Sequence, residues 1–299
     1  MKQEEQDVKY RVLVIPEHLN GYSVESVLQH EYEFSDKRIS RLKRVDAGVI
    51  VNGKQVYMTY RLRSGDILSA MYQDIPLKKV AEPKNFPIDI LYEDEYLLIL
   101  NKPKGIVVHP TKNPEELTLE NALAYYLGEK LVGHPVSRLD KGTTGIMTVA
   151  KYGYIHEILR RKLHTDDFRR EYRGIADGIV EPSSGEITGS IDFAGEASYK
   201  RTIVDHGPEA RTGYQVLGYY NERTLLRLIP YTGKTHQLRI HMASIGFPLT
   251  GDYMYGIENK QAIDRPALHS YELWLKHPVT HESIHITCPI PEDMQNLLL

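Results

Sequence analysis

The stretch of this chain best equipped for chemistry is 135–151, P-V-S-R-L-D-K-G-T-T-G-I-M-T-V-A-K, where Arg138 and Asp140 stand two apart before a glycine-threonine turn. The two glycines let the backbone approach a ligand closely, and a carboxylate held beside them could serve as nucleophile or base. An Asp before Gly and Thr more often only caps a turn. The residues alone leave both readings open. Ile146, Met147, Val149 and Ala150 form a short apolar run, so the pattern is a charged turn emptying into a buried strand.

Several elements must position that turn. Residues 90–101 read as two strands around an acidic turn, and 120–127 as a helix with Leu123 and Tyr126 on one side. Ile155, Ile158, Leu159 and Leu163 repeat every three to four residues across 154–164, a helix closed by Arg160, Arg161 and Lys162 near its negative end. Residues 169–176 alternate as a strand carrying Arg170 and Tyr172, and 178–210, rich in Gly, Ser and charge, read as short strands. The pattern sharpens at 225–230 and continues into T-G-K-T-H-Q-L-R-I-H at 232–241, then G-F-P-L-T-G-D-Y-M-Y-G at 246–256.

These segments together resemble the RluA-type pseudouridine synthases. Arg138, Leu139, Asp140, Thr143, Gly145, Ala150 and Lys151 match the family signature H-R-L-D-x-x-T-S-G followed by an apolar strand and A-K. Ser137 stands at the usual His position and Thr144 at the usual Ser. Arg170-Glu171-Tyr172 fits the family's basic-x-Tyr pattern, and 232–256 keeps nearly all of its third motif, with Lys234 in place of Arg. The resemblance runs from about residue 88 to the end, with three motifs in the expected order.

It implies an α+β catalytic domain with a mixed, mostly antiparallel central sheet and flanking helices, the pseudouridine synthase fold, over 88–299. It implies catalytic roles for three residues: Asp140 as the carboxylate against the sugar, Tyr172 stacked on the uracil as candidate for proton removal, and Arg239 paired with Asp140. Arg138 would fill the space left by the extruded nucleotide, because such enzymes must take the target base out of its stack. Whether Asp140 attacks C1′ or first takes the C2′ proton stays open.

The amino-terminal part differs in charge. From Ser35 to Arg63 eight basic residues face two acidic ones, in a chain of net charge −3. A helix capped at Ser35 places Ile39 and Leu42 on one face and Lys37, Arg38, Arg41 and Arg44 on the others. A second helix from Ser23, an Asn52-Gly53 hairpin and a strand over 67–72 complete a set that resembles the αL RNA-binding module. Its cations would neutralise phosphates without reading sequence; a merely solvated charged face is the bland alternative. The expected organisation is therefore 1–75 as an αL-type RNA-binding module with a lead-in, 76–87 as a proline-bearing linker, and 88–299 as the catalytic domain.

Composition narrows the class. At 299 residues, 41% hydrophobic and 26% charged, the chain has the length and make-up of a globular protein. No apolar run reaches the roughly 18 residues a membrane span needs, and the polar start lacks a signal peptide's apolar core. A single cysteine, Cys288, permits no internal disulfide. A cytoplasmic enzyme is expected. H-E-S-I-H at 281–285 matches a zinc pattern, but Ile284 to Cys288 alternates as a strand, which would separate the two His by about 13 Å. No metal, no cofactor, no membrane and no obligate protein partner are expected. The partner is RNA, large-subunit ribosomal RNA ahead of transfer RNA. The competing class is a non-catalytic RNA- or ribosome-binding protein; retention of Asp140, Tyr172 and Arg239 together speaks against it, since binding requires none of the three.

Overall fold

The computed structural model describes residues 9–73, 81–111, 113, 115–128, 131–195 and 200–299. The first elements are β1 (Tyr10–Val14), α1 (Val24–His30), α2 (Asp36–Leu42), β2 (Val49–Val51), β3 (Lys54–Gln55) and β4 (Ile67–Met71). Ser23 Oγ accepts from Ser26 N and Ser35 Oγ from Arg38 N, so each helix begins where a hydroxyl satisfies an otherwise orphaned N–H. Asn52 and Gly53 both take positive φ, 49° and 77°, the two-residue turn that lets β2 and β3 pair antiparallel. The four strands form one sheet in the order β1-β4-β2-β3. Of the expected linker, 76–80 lies outside the described residues and 81–87 carries no regular structure.

The remainder comprises β5 (Asp89–Glu93), β6 (Leu97–Lys102), α3 (Leu119–Leu127), β7 (His134–Pro135), β8 (Thr144–Ala150), α4 (Gly153–Lys162), β9 (Phe168–Asp177), β10 (Ser184–Phe193), β11 (Arg201–Val204), β12 (Glu209–Tyr220), β13 (Arg223–Pro230), α5 (Gln237–Ser244), β14 (Leu268–Lys276), β15 (Ser283–Thr287) and α6 (Glu292–Gln295). The strands join one mixed sheet in the order β11-β10-β12-β13-β9-β14-β8-β6-β5, with β15 on β14 and β7 on β8. Only β14 and β8 run parallel among the described pairs. The rest is antiparallel, as expected for the fold class.

Residues 178–210 depart from the short strands expected there. β10 spans ten residues and β12, unread in the sequence, spans twelve. Along β10 only Ile187 and Ile191 are buried, so the period-2 apolar signal is missing. In β12 glycines replace apolar residues where rings lie over the strand; a Cβ at Gly213 would sit 2.9 Å from the Tyr231 hydroxyl.

Strand alternation divides the core. Leu97 and Ile99 of β6, with Ile146 and Ala150 of β8, face one side, where Ile155, Ile158 and Leu159 of α4 cover them. Leu98, Leu100, Met147 and Val149 face the other, under Leu119 and Leu123 of α3 and Leu238 and Met242 of α5. A strand buried on both faces reads as a continuous apolar run. The seven residues of β8 are all buried.

The amino-terminal sheet shares the first of these cores. The Tyr72 ring lies 4.9 Å from Tyr152 and 5.6 Å from Tyr154, and Phe34 lies 5.4 Å from Tyr154 edge-on. Polar contacts rim the aromatics: Ser35 Oγ donates to Glu157 at 2.6 Å, Tyr72 OH to Glu95 at 2.7 Å, and Lys162 pairs with Glu33 at 3.2 Å. The two parts are packed together through side chains of both. The zinc-like pattern is not on a helix: His285 lies in β15, stacked 5.0 Å from Trp274 and 2.8 Å from Glu272, while His281 precedes the strand at φ 61°.

Candidate active site

Asp140 sits in the turn that enters β8, and its main chain is held on both sides. Thr143 N donates to the Asp140 carbonyl at 3.0 Å, so the backbone, not the carboxylate, closes the turn. On one side the fully buried Lys102 directs its Nζ to the carbonyls of Pro103 and Ile106, both at 2.9 Å, and to that of Lys141 at 3.4 Å. On the other, Arg265 donates to the Gly142 carbonyl at 3.1 Å while Asp293 holds the rest of its guanidinium. Gly145 has φ 104° where β8 meets β14; a Cβ there would lie 2.8 Å from Ser270 N. Only glycine fits that crossing. Thr144, at the family's Ser position, keeps the hydroxyl function: its Oγ1 lies 2.7 Å from Nδ1 of buried His269.

The carboxylate of Asp140 points to α5. Arg239 Nη1 donates to Asp140 Oδ2 at 3.1 Å, and its Nε and Nη2 form a fork on Asp252, 2.7 Å each. Asp252 is fully buried and also accepts from Met254 N and Tyr255 N. A guanidinium clamped by a buried carboxylate is aimed in one direction before substrate arrives. Although burial disfavours its charge, hydrogen bonds to Asp252 and the fields of both carboxylates raise the Arg239 pKa above its ordinary value. Asp140 Oδ1 carries no hydrogen bond among the described residues. His236, in the left-handed conformation at φ 59°, places Nε2 3.8 Å from Asp140 Oδ2 and Nδ1 2.9 Å from Tyr255 OH. Burial lowers the His236 pKa, so the ring is neutral at neutral pH. Burial also pushes Lys102 down to about 8, opposed by the field of Asp140.

Two cavities meet at Asp140, of about 520 and 760 Å³. Each is within the range of small-molecule sites. Tyr172 lines the first together with Asp140 and Arg239, and exposed Arg138 lines both. Four residues singled out in the sequence thus share one cleft. Ser137 lines it as well. His109, given no role by its sequence, bonds Glu120 at 2.7 Å on the cleft's edge.

The cations of α2, and Arg44 in the turn just past its end at Leu42, lie outside this cleft. Lys37, Arg41 and Arg44 are exposed. Arg38 differs from them: its guanidinium stacks 4.8 Å from Phe34 and 5.0 Å from Tyr154 and donates to the Met71 carbonyl at 3.1 Å. It packs the amino-terminal part against α4 and is half-buried where Lys37, Arg41 and Arg44 are exposed.

Sequence reasoning passed over Asp252, Lys102, His236 and Arg265. Asp252 and His236 stand in the third motif without a role. A charged residue flanked by Gly251 and followed by apolar Tyr-Met-Tyr was the available signal for a buried ion pair. Among the described residues no group of three His, Cys, Asp or Glu is placed to hold a metal ion, and no helix is long and apolar enough to cross a membrane.

Residues 96–244 match the family model described as RNA pseudouridylate synthase. The chain is 31% identical to the uncharacterized RNA pseudouridine synthase YjbO of Bacillus subtilis, over 90% of this chain and 95% of that protein. It is 34% identical to the ribosomal large subunit pseudouridine synthase D of Escherichia coli, over 89% and 86%. Human RNA pseudouridylate synthase domain containing 4 superposes with a TM-score of 0.56 at 25% identity, covering 70% of this chain and 91% of that one. A family signature around Asp140, the mixed sheet that carries it and extended identity to named members lead to one assignment: this chain belongs to the RNA pseudouridine synthases, isomerases that act on RNA.

Proposed function

We propose that the enzyme isomerises uridine in large-subunit ribosomal RNA with Asp140 as nucleophile. The observation that carries the residue assignment is the aimed pair: Arg239, fixed by buried Asp252, binds one oxygen of Asp140 and leaves the other free at the junction of the two cavities. A cation at that distance keeps the carboxylate ionised and oriented toward the sugar. The reaction breaks the C1′–N1 bond, rotates the uracil, forms C1′–C5 and moves the C5 proton to solvent while N1 gains one. Tyr172, lining the same cavity, stacks on the uracil and takes the C5 proton, directly or through water. Arg138, exposed at the rim, occupies the gap the extruded nucleotide leaves.

Residues 1–75 act as an αL-type module that holds RNA through Lys37, Arg41 and Arg44, joined by 76–87 to the catalytic domain at 88–299. Ribosomal RNA is preferred over transfer RNA because relatives named for the large ribosomal subunit align over 86–98% of the chain, module included. The cytoplasmic location read from the sequence goes with that substrate.

Tritium release from ribosomal and transfer RNA labelled at uridine C5, wild type beside Asp140→Asn, tests the reading. Release from ribosomal RNA by wild type alone is expected. Release from transfer RNA only would move the substrate, and none from either RNA despite binding would leave an RNA-binding protein without this chemistry.

A further inference from the structure

The first cavity, which Arg239 lines, is also lined by Arg170, a cation with no carboxylate partner among the described residues. Arg170 follows Phe168 in β9 and projects to the same face as Tyr172, two residues on, since strand residues alternate. It is 9% exposed, lines the cavity, and its Nε has no hydrogen bond. No carboxylate lies within ion-pair distance of it among the described residues. Neighbouring Glu171 faces the other way, bonded to Arg227. Its guanidinium meets His164, with Nη2 3.5 Å from His164 Nε2, and the Phe168 ring at 5.8 Å. His164 turns Nδ1 to the Pro230 carbonyl at 2.8 Å, and burial together with the Arg170 charge lowers its pKa, so it stays neutral.

Buried guanidinium groups are ordinarily paired. Opposite Arg170 runs the turn before α5. Gln237 braces it, accepting from Thr232 Oγ1 and Lys234 N and donating to the Arg211 carbonyl. The N–H groups of Gly233, Thr235 and His236 carry no hydrogen bond among the described residues. Gly233 passes so close to His164 that a Cβ would lie 2.8 Å from its Nε2. An arginine without a carboxylate, a lysine at 234 and amides without a hydrogen bond at a helix start line the same cavity, the arrangement that binds anions.

We propose that Arg170, Lys234 and the 233–236 turn bind a backbone phosphate of the RNA strand next to the target uridine. Their place is on the α4 side of Tyr172, so the phosphate they hold fixes the extruded nucleotide's backbone while Asp140 and Tyr172 act on its sugar and base. This rests on the isomerase reading above and adds a residue that touches substrate.

The test uses the full chain with Arg170→Met and Arg170→Lys, and a large-subunit ribosomal RNA transcript as probe. Equilibrium binding and C5-tritium release are measured between low and moderate KCl, with thermal unfolding of each protein. Arg170→Met should lower kcat/KM by about ten- to a hundredfold, the loss of one charge-assisted phosphate contact. It should also flatten the slope of log affinity against log salt by about 0.7–0.9. Arg170→Lys should keep the slope. The free Arg170→Met protein should melt close to wild type, since among the described residues the cation it removes has no carboxylate partner, only a 3.5 Å contact to neutral His164 and the Phe168 ring at 5.8 Å. An unchanged salt slope, unchanged turnover, or a protein that melts well below wild type or fails to fold would each overturn the proposal and make Arg170 a structural cation. If wild type releases no tritium the isomerase reading fails, and the salt slope of binding still decides the phosphate contact.

Discussion

The cleft at Asp140 and the amino-terminal part both depend on arginine, and they hold it in opposite ways. In the cleft Arg239 is nearly inaccessible and locked to a fully buried carboxylate before it reaches Asp140. On α2 and in the turn after it, Arg41 and Arg44 stand in solvent, with no ion pair among the described residues. Chemistry at a fixed atom needs a charge whose direction is set in advance, because reorganisation during the reaction raises the barrier. Holding a polyanion needs only charge near a surface, and mobile side chains supply it. Two arginines cross that line. Arg38 belongs to the basic helix yet packs on Phe34 and Tyr154, and Arg170 belongs to the cleft yet has no carboxylate among the described residues.

The largest effect should come from the cleft. Asp140→Ala is expected to abolish tritium release while RNA affinity stays at the wild-type value; turnover well above background would remove Asp140 from the nucleophile role. Arg239→Ala should do two things at once. Turnover should fall about a hundredfold or more, because the carboxylate loses its aim. Stability should fall by about 3–5 kcal/mol, because Asp252 is left charged, buried and unpaired. Adding Asp252→Asn to Arg239→Met should restore most of the stability and none of the activity, measured by urea unfolding beside C5-tritium release. If single and double variants were equally stable, the buried pair would not be what holds this wall together.

On α2 the expectation reverses. Lys37, Arg41 and Arg44 changed together to Gln should weaken binding to ribosomal RNA and reduce the salt slope by about 2 to 3, at one phosphate per cation. Saturated turnover and melting temperature should stay as in wild type. Arg38→Ala should lower stability by about 1 kcal/mol through lost stacking and leave the salt slope alone. Equal slopes for the triple variant and wild type would mean that α2 does not meet RNA, and the contrast drawn between the two regions would collapse.

The sequence carried the parts of this arrangement whose signal is local. Asp140, Tyr172 and Arg239 sit in motifs, and the caps at Ser23 and Ser35 and the Asn52-Gly53 turn follow from neighbouring residues. What it hid depends on partners far along the chain. Arg38 looked like its exposed neighbours because Tyr154, which covers it, lies in α4. Lys102 supports the Asp140 turn through the carbonyl of Lys141, and no spacing rule announces that contact. β10 and β12 were obscured for a different reason: they lie toward one edge of the sheet, where polar residues and glycine interrupt the apolar alternation that marks a half-buried strand.

The smallest effect follows from histidines, and it again separates the two regions. His241 and His269 are buried against the cleft's supporting elements, whereas His18 and His30 of the amino-terminal part are exposed. His269 Nε2 donates to the Cys288 carbonyl at 3.0 Å, so its Nδ1 accepts from the Thr144 hydroxyl; a second proton there would break the contact that seats the start of β8. Burial pushes both rings down to about 4. An unfolded histidine titrates near 6.5, so below that pH the unfolded chain binds protons that the folded chain refuses. Stability from these rings is complete above about 6.5 and is lost as pH falls toward 4. His156, also pushed down to about 4, adds the same sign. Lowering the pH from 7.5 to 5.5 should cost about 1 kcal/mol per buried ring, read as a lower urea midpoint. Hydrogen exchange at pH 5.5 should then show β8 and α5 losing protection before β2 and β4. Equal losses in both sheets would mean that the shared aromatic core around Tyr72 and Tyr154 couples them into one cooperative unit, and that the acid sensitivity of the cleft is a property of the whole chain.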